Sequence, residues 1–240
     1  MTLSPQAAAL RLFGESEFRY REVMPRQSRA VETRQKIIDA AVGLFADKGY
    51  GETGLNDLTA RAGVTTGAFY YHFSSKEALA TAIMDQGWPK ALDVVTRCLQ
   101  SPSPGLENVI VMTFALSDLM KQDKSVWVAN HLNQAFGQLS EEGRRVFEDH
   151  AATFIDRLAA AVRGTDLNDG TTPEQVGSMV WIMLHGCHLL SDAMDDSVID
   201  RLRESWSLLL RSIVPDESLP YFKRFLSRTA SEYDSASAAS

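Results

Sequence analysis

Apolar residues recur at three- and four-residue spacing along most of the chain, and no segment alternates between apolar and polar positions as a half-buried strand does. This pattern predicts an all-α fold. The first helix is expected over Ala30–Lys48, with Gly49 as the residue that ends it. Its apolar face is expected to consist of Ile37, Ile38, Ala41, Leu44 and Phe45.

Residues 55–73 predict a helix, a tight turn and a second, very short helix. Leu58 and Ala62 share one side of the first of these helices, at helical spacing. Gly63 permits the positive φ that the turn needs, and Thr65 can cap the helix that follows. The segment is therefore expected to form a helix-turn-helix.

The short second helix is expected to present small and hydrogen-bonding side chains on its outer side. Gly67 keeps that surface low, so that another surface can approach the backbone closely, while Tyr70, Tyr71 and His72 offer two hydroxyls and a ring N–H. The free N–H groups at the start of the helix suit phosphate oxygens. The alternative is an ordinary helical hairpin whose tyrosines are half buried.

Further helices are predicted in the rest of the chain. A long helix is expected from Ser75 to about Leu99, with a kink near Gly87 and Trp88, because Pro89 removes one backbone N–H and crowds the preceding turn. The other helices are expected at about Leu106–Gln122, Ser125–Phe136, Glu141–Arg163, Pro173–Met194, Ser197–Ile213 and Asp216–Ser231.

The charge distribution supports a division into two domains. The net charge is −7, but residues 1–76 carry 10 Lys and Arg against 8 Asp and Glu, whereas the remainder carries 14 against 23. Only the first portion is a plausible partner for phosphate. The expected organisation is a flexible extension over 1–25, a helix-turn-helix domain over 26–75, a larger helical domain over 76–231 and a disordered tail over 232–240.

The composition excludes several classes of protein. Cys98 and Cys187 give no disulfide framework, no apolar run reaches the length of a membrane span, and no signal peptide is recognised. A cytoplasmic protein without a membrane segment is therefore expected.

The helix-turn-helix segment resembles the DNA-binding domain of the TetR family of transcriptional regulators over about residues 30 to 80. The residues that carry the resemblance are Thr53, Leu55, Ala62-Gly63-Val64-Thr65, Gly67, Tyr70, His72-Phe73 and Lys76-Glu77-x-Leu79. The resemblance implies double-stranded operator DNA as a partner. It also implies repression of transcription. The sequence contains no Gly-rich phosphate loop, nucleophile elbow or HExxH motif, so an enzyme is not expected.

The candidate DNA-binding residues lie in and around this segment. They are Arg26, Arg29, Thr53, Thr65, Thr66, Gly67, Tyr70, Tyr71, His72 and Lys76. Arg26 and Arg29 are included because they precede the first helix and could reach phosphates or a minor groove. Many relatives carry a lysine where this chain has Thr66, so the charged contact that such a lysine makes is not expected here.

The larger domain contains aromatic and polar side chains suited to a small-molecule site. The candidate ligand-binding residues are Trp88, Phe114, Trp127, His131, Gln134, Phe147, His150, Phe154 and Trp181. Trp127, His131 and Gln134 lie at helical spacing and would share one face. The alternative is that these aromatic residues simply belong to the core.

Two long helices, at residues 173–194 and 197–213, are mostly apolar with few charges in their centres. Such helices are either buried or self-associating, and two copies would form the four-helix bundle of a homodimer. A dimer is also what DNA binding needs, because two recognition helices set about 34 Å apart can read a palindrome.

One cluster resembles a metal site in composition. His185, Cys187 and His188 are close in sequence, but Cys187 points away from the two histidines on a helix, and no second cluster completes a zinc site. Neither a metal nor a cofactor is expected. A helical enzyme using His150 or His185 is the disfavoured alternative.

A second resemblance concerns the γ-butyrolactone (autoregulator) receptor subgroup of TetR proteins. It rests on Trp206-x-Leu-Leu-Leu-x-x-Ile-Val-Pro215, and on Phe147-x-x-His150 followed by Leu158-x-x-Ala161. The resemblance implies a repressor released by a small-molecule effector of the γ-butyrolactone type. The pocket tryptophan of the subgroup aligns with His150, so the ligand's head group can differ, and a sensor of drug-like or other hydrophobic molecules is the alternative.

Overall fold

The computed structural model describes residues 28–102, 105–139 and 141–238. Within these ranges it contains ten helices and no strand, which confirms the predicted all-α fold. The helices are α1 (28–48), α2 (Leu55–Ala62), α3 (Thr66–His72), α4 (Lys76–Leu99), α5 (Gly105–Gln122), α6 (Lys124–Leu139), α7 (Glu141–Val162), α8 (Pro173–Met194), α9 (Val198–Ile213) and α10 (Leu219–Ala238).

The chain forms two compact units that divide between Ala82 and Ile83, inside α4. The first unit contains α1, α2, α3 and the first residues of α4. Its core is built from the predicted apolar face of α1 together with one or two residues from each following helix. These core residues are Ile37, Ile38, Ala41, Leu44, Phe45, Leu58, Phe69, Phe73 and Leu79.

The turns of the first unit follow the sequence prediction. Gly49 and Gly63 both adopt positive φ, of 83° and 65°, at the ends of α1 and α2. The Thr65 hydroxyl accepts a hydrogen bond from the Ala68 N–H and caps α3, as predicted. These local features fix the angle at which α3 leaves the turn.

The second unit packs its helices around α5, whose side chains are buried on nearly every side. Neighbouring helices pair as α6 with α7, α7 with α8 and α9 with α10, and α10 also packs against α5. Trp206 of α9 is fully buried, and its indole N–H donates a 2.9 Å hydrogen bond to the Thr113 hydroxyl of α5. This bond satisfies the polar atoms that the packing buries.

Helix α4 continues through Pro89 to Leu99, and the kink expected there remains a prediction. Two residues earlier, α4 approaches α6 closely: a Cβ built on Gly87 would lie 2.4 Å from the Ala129 Cβ. Only a glycine permits this approach.

The C-terminal boundary differs from the sequence prediction. The segment from 232 was expected to be disordered, but α10 is helical to Ala238. Alanine is the best helix former, and Tyr233 of this segment stacks against Phe114 of the core, with ring centroids 5.9 Å apart. In the part of the chain that the structure describes, no helix is long and apolar enough to cross a membrane.

Candidate functional site

Helix α3 exposes one side and anchors the other. Phe69 is buried beneath it, with Phe73 packed beside it at a centroid distance of 6.0 Å. Tyr70 and Tyr71 are 54% and 79% exposed, and nothing lies within 4 Å of a Cβ built on Gly67 except the Thr65 hydroxyl at 3.9 Å. The outer side of α3 is therefore free to meet a partner.

The remaining candidates near α3 differ in exposure. Thr65 and Thr66 are exposed, whereas His72 is half buried and lies edge-on to Tyr71 at 5.0 Å. Arg29 is exposed on α1, and Arg26 lies outside the described residues. Most of the candidate residues of α3 thus share one accessible surface.

Thr53 and Lys76 support the loop between α1 and α2. The Thr53 hydroxyl is buried and donates a 2.8 Å hydrogen bond to the Gly49 carbonyl, so it is not available to DNA. The Lys76 ammonium donates 3.0 Å hydrogen bonds to the carbonyls of Tyr50 and Thr53, and it lies 4.2 Å from the centre of the Tyr50 ring. Both side chains hold the α1–α2 loop in place. Thr53 is thus corrected from a contact residue to a supporting residue, whereas contact of the half-buried Lys76 with DNA stays a prediction.

Tyr50 completes this support. Burial, reinforced by the negative charge of Glu77 and its hydrogen bond to the hydroxyl, raises the pKa of Tyr50 to about 12. The tyrosine therefore stays protonated at neutral pH and keeps donating to the Glu77 carboxylate.

A cavity lies within the second unit between α4, α5, α6, α7 and α8. Four of the nine predicted ligand-binding residues line it: Trp88, His150, Phe154 and Trp181. The other residues that line it are Met84, Gly87, Ala91, Leu92, Val95, Leu116, Met120, Val126, Ala129, Asn130, Asn133, Leu184, His185 and His188. A mostly apolar wall with a few polar groups is typical of small-molecule sites.

His150 is held on two sides at the cavity wall. Its ring stacks on Trp88, and its Nδ1 lies 3.2 Å from the Asn133 side-chain oxygen. Burial lowers the pKa of His150, although the nearby Asp149 carboxylate partly opposes this effect. The imidazole is therefore neutral at neutral pH.

Five predicted ligand-binding residues do not line this cavity. These are Phe114, Trp127, His131, Gln134 and Phe147. On α6 the cavity is lined by Val126, Ala129, Asn130 and Asn133, which form the stripe next to the predicted one.

Three of these five side chains pack away from this cavity. His131 donates from Nδ1 to the Trp127 carbonyl, and its Nε2 lies 3.1 Å from a carboxylate oxygen of Asp192 on α8. Phe114 is fully buried in the core, and Phe147 packs against Gly137 at the α6–α7 contact. Helical spacing identifies residues on a common face but not what that face packs against.

His185 and His188 are the functional candidates that the ligand prediction missed. They lie three residues apart on α8 and both line the cavity. Burial lowers the pKa of His185, and burial together with the neighbouring rings of His185 and His131 lowers the pKa of His188 to about 4. Their spacing was recognised in the sequence, but only as a possible metal cluster.

The structure separates the three residues of that cluster. The Cys187 sulfur lies 3.6 Å from the Ser205 hydroxyl of α9, on the other side of α8 from the cavity. Among the described residues, no group of three or more His, Cys, Asp or Glu side chains is placed to hold a metal ion.

Helix α8 also carries an exposed apolar surface. The residues that form it are Met179, Ile182, Leu189, Leu190 and Met194, with Leu208 exposed on α9. On another side of α8, Val176, Val180 and Leu184 are buried in the core of the unit. Apolar exposure of this extent is characteristic of an interaction surface.

Comparison with known proteins links the first unit to one family. Residues 37–83 match the model of bacterial regulatory proteins of the tetR family. Over 63 residues, the chain is 51% identical to the A-factor receptor protein of Streptomyces griseus, a match that covers 26% of this chain and 23% of the receptor. The chain therefore spans less than a quarter of that relative's length in sequence.

Solved structures extend the likeness to the second unit. A γ-butyrolactone receptor described as ArpA-like is 27% identical, with a TM-score of 0.70, over 85% of this chain and 99% of that one. CprB of Streptomyces coelicolor, solved in complex with its biological operator sequence, is 27% identical with a TM-score of 0.67, over 84% of this chain and 98% of that one.

Proposed function

Because the chain belongs to the TetR family of bacterial transcriptional regulators, we propose that it is a homodimeric repressor that binds a palindromic operator and is released by a small, γ-butyrolactone-like molecule. One observation carries this proposal. The family match over residues 37–83 coincides with a helix, α3, that is anchored by buried Phe69 and free on its outer side.

Operator DNA is the partner that the outer side of α3 suits. Thr66 and Gly67 would meet the duplex at the start of the helix, and Tyr70 and Tyr71 would meet it with their hydroxyls, mostly at phosphates. Arg29 would add a phosphate contact from α1. The operator complex of CprB supports this assignment. Since the target is chromosomal DNA, the proposed site of action is the cytoplasm.

A twofold dimer through α8 and α9 would supply the second recognition helix. The exposed apolar side chains of α8 are the ones such an interface would bury, and the Leu208 side chain of α9 would extend it. Two copies of α3 then read the two halves of a palindrome, which one short helix cannot do with useful affinity.

The cavity of the second unit is the proposed effector site. Trp88, His150, Phe154 and Trp181 supply aromatic wall, and the polar groups lie among them. The γ-butyrolactone receptor structures support a ligand of that type, because the likeness covers 85% of this chain, including this unit.

Release requires that the ligand binds more tightly to a conformation that does not hold DNA. Helix α4 is a candidate for transmitting the change, because it is continuous from Lys76 in the first unit to Trp88 at the cavity wall. A ligand that displaces Trp88 would act on α4, the helix that directly follows α3.

The test begins with selection of duplex DNA from a random pool by the full-length protein, followed by fluorescence anisotropy with the recovered duplex. We expect a palindromic site, and at least a tenfold loss of affinity for the double variant Tyr70→Ala, Tyr71→Ala. Val146→Ala, at an exposed apolar residue of α7, is the control and should bind like the wild type. Failure to enrich any duplex, or unchanged binding by the double variant, would refute the DNA assignment.

The second arm adds γ-butyrolactones with alkyl side chains to the protein–DNA complex. We expect anisotropy to fall to that of free DNA as the lactone is titrated. Retention of the complex at every lactone concentration would refute the effector assignment while leaving operator binding intact.

A further inference from the structure

The side chains at the cavity wall carry no fixed charge. Among the described residues that line the cavity there is no Asp, Glu, Lys or Arg. An ion that moved into this space from water would lose its hydration without gaining a partner of opposite sign. The cavity therefore favours an uncharged ligand.

His185 offers the cavity a hydrogen-bond acceptor. Its Nδ1 lies 3.0 Å from the Trp181 carbonyl oxygen, and since a carbonyl only accepts, this nitrogen must carry the proton. Because burial lowers the pKa of His185, the ring is neutral at neutral pH and Nε2 keeps its lone pair. Within the described part of the chain, Nε2 has no hydrogen-bond partner.

The single ring N–H of His188 also donates a hydrogen bond within the protein. Its Nε2 lies 2.9 Å from the Ser117 hydroxyl oxygen, and that hydroxyl already donates its own hydrogen to the Thr113 carbonyl. The imidazole must therefore donate to Ser117, and only its other nitrogen keeps a lone pair.

His150, on α7, also lines the cavity and repeats this pattern. Its Nδ1 faces the Asn133 side-chain oxygen. Because this oxygen accepts, the ring N–H of His150 is also donated within the protein. Three neutral imidazoles thus bring lone pairs, and no spare ring N–H, to one mostly apolar space.

We propose that this cavity selects an uncharged ligand that donates a hydrogen bond, from a hydroxyl or an N–H group, to Nε2 of His185. The inference deepens the proposed effector function and rests on it. It makes His185 the residue that distinguishes a ligand bearing a hydroxyl from one that lacks it. A site built to pair with a hydroxyl discriminates strongly, because the analogue without it leaves the acceptor unpaired.

The test uses three matched probes in isothermal titration calorimetry with the full-length protein at pH 7.5. The probes are a γ-butyrolactone with a hydroxylated alkyl chain, the methyl ether of that hydroxyl, and the carboxylate obtained by opening the lactone ring. On the wild type, we expect the ether to bind about tenfold more weakly than the alcohol, and the carboxylate more weakly still.

Two variants assign the discrimination to His185. In His185→Leu the acceptor is gone, so alcohol and ether should bind within about twofold of one another. In His185→Gln an amide oxygen can accept, and we expect part of the preference for the alcohol to return. The comparison also removes the effect of the ether's extra bulk, because that effect persists in the leucine variant whereas the hydrogen bond does not.

An NMR measurement tests the ring directly. The imidazole ¹⁵N shifts of the wild type should show His185 neutral, protonated at Nδ1 and unprotonated at Nε2, and the Nε2 resonance should move when the alcohol binds but not when the ether does.

The outcomes separate this inference from the function on which it rests. Equal binding of alcohol and ether to the wild type, an unchanged ratio in His185→Leu, or a proton on free Nε2 would each overturn the role of His185 while leaving lactone sensing intact. If no probe binds, the lactone assignment and the inference both fail, whereas operator binding is measured independently.

Discussion

The imidazole of His150 lies flat against the indole of Trp88, with ring centroids 4.1 Å apart and an angle of 16° between the planes. The two residues come from α7 and α4, and both line the cavity. The stack therefore joins the wall of the proposed effector site to the helix that continues into the first unit.

Removal of the stacked imidazole should weaken both the fold and the site. We expect His150→Ala to lower the free energy of unfolding by about 1–2 kcal/mol, because it removes ring stacking and leaves the Asn133 amide without its partner. Lactone affinity should also fall. Thermal unfolding and calorimetry check these effects, with Thr153→Ala, at an exposed position of the same helix, as the control. Unfolding and lactone binding identical to those of the wild type would show that the stack contributes nothing.

The buried His188 should make the protein sensitive to acid. Its pKa is about 4 in the folded chain, against an ordinary value of 6.5. Between pH 4 and pH 6.5 the unfolded chain binds a proton at this histidine that the folded chain does not bind. The stability that the neutral His188 contributes is therefore complete above pH 6.5 and is lost as the pH falls towards 4. The loss should amount to about 3 kcal/mol.

Urea denaturation between pH 7.5 and pH 4.5 measures this contribution. The variant His188→Gln keeps a donor for Ser117 but does not titrate, so its stability should fall less steeply with acid than that of the wild type. The partly buried His150 and His185 remain in the variant and preserve part of the slope. Parallel pH profiles for the two proteins would contradict the assignment.

The ammonium of Lys76 should contribute more to the stability of the first unit than to operator binding. Lys76→Met keeps the stem of the side chain but leaves the carbonyls of Tyr50 and Thr53 without their donor. We expect a loss of about 1–3 kcal/mol and faster amide hydrogen exchange in the α1–α2 loop. Tyr71→Ala, at an exposed residue, is the contrasting variant, with reduced operator binding and unchanged stability. Unchanged stability together with reduced operator binding in Lys76→Met would identify Lys76 as a DNA-contacting residue.

Local sequence signals predicted the first unit in detail. The positive φ at Gly63 and the Thr65 cap each follow from the chemistry of one residue in its immediate context. The role of Lys76 could not be predicted in this way, because its two acceptors lie more than twenty residues earlier in the chain.

The residues that line the cavity could not all be predicted from the hydrophobic pattern. The sequence identified α6 as a helix, but the stripe of Trp127 and His131 differs by one residue from that of Val126 and Asn130, which lines the cavity. Which stripe turns inward depends on how α6 docks against α7 and α8, and this is set by the total packing of the unit. His185 and His188 were visible in sequence, yet their role depends on burial and hydrogen bonds that only the fold defines.

The close approach of α4 and α6 gives a sharp packing test. In Gly87→Ala the new methyl group would lie 2.4 Å from the Ala129 Cβ and 3.0 Å from the Ser125 carbonyl oxygen, so the helices must separate. We expect a loss of about 1–3 kcal/mol in the free energy of unfolding and a weaker response to lactone. Gly43→Ala, where the nearest atom is the mobile end of Arg61 at 3.5 Å, is the matched control. It should be neutral or stabilise α1, and equal effects of the two substitutions would rule out the steric explanation.

The exposed face of α8 is where the proposed dimer can be broken without disturbing the core. Ile182 is 61% exposed, so Ile182→Glu should leave the fold of each protomer intact while placing a carboxylate in the interface of the dimer. Sedimentation equilibrium should then show a monomer at concentrations where the wild type is a dimer. Operator affinity should fall at least a hundredfold, because the two copies of α3 are no longer held in one molecule. Val146→Glu introduces the same charge at an exposed apolar residue of α7 and should remain dimeric. A dimeric Ile182→Glu protein with full operator affinity would place the interface elsewhere on the molecule.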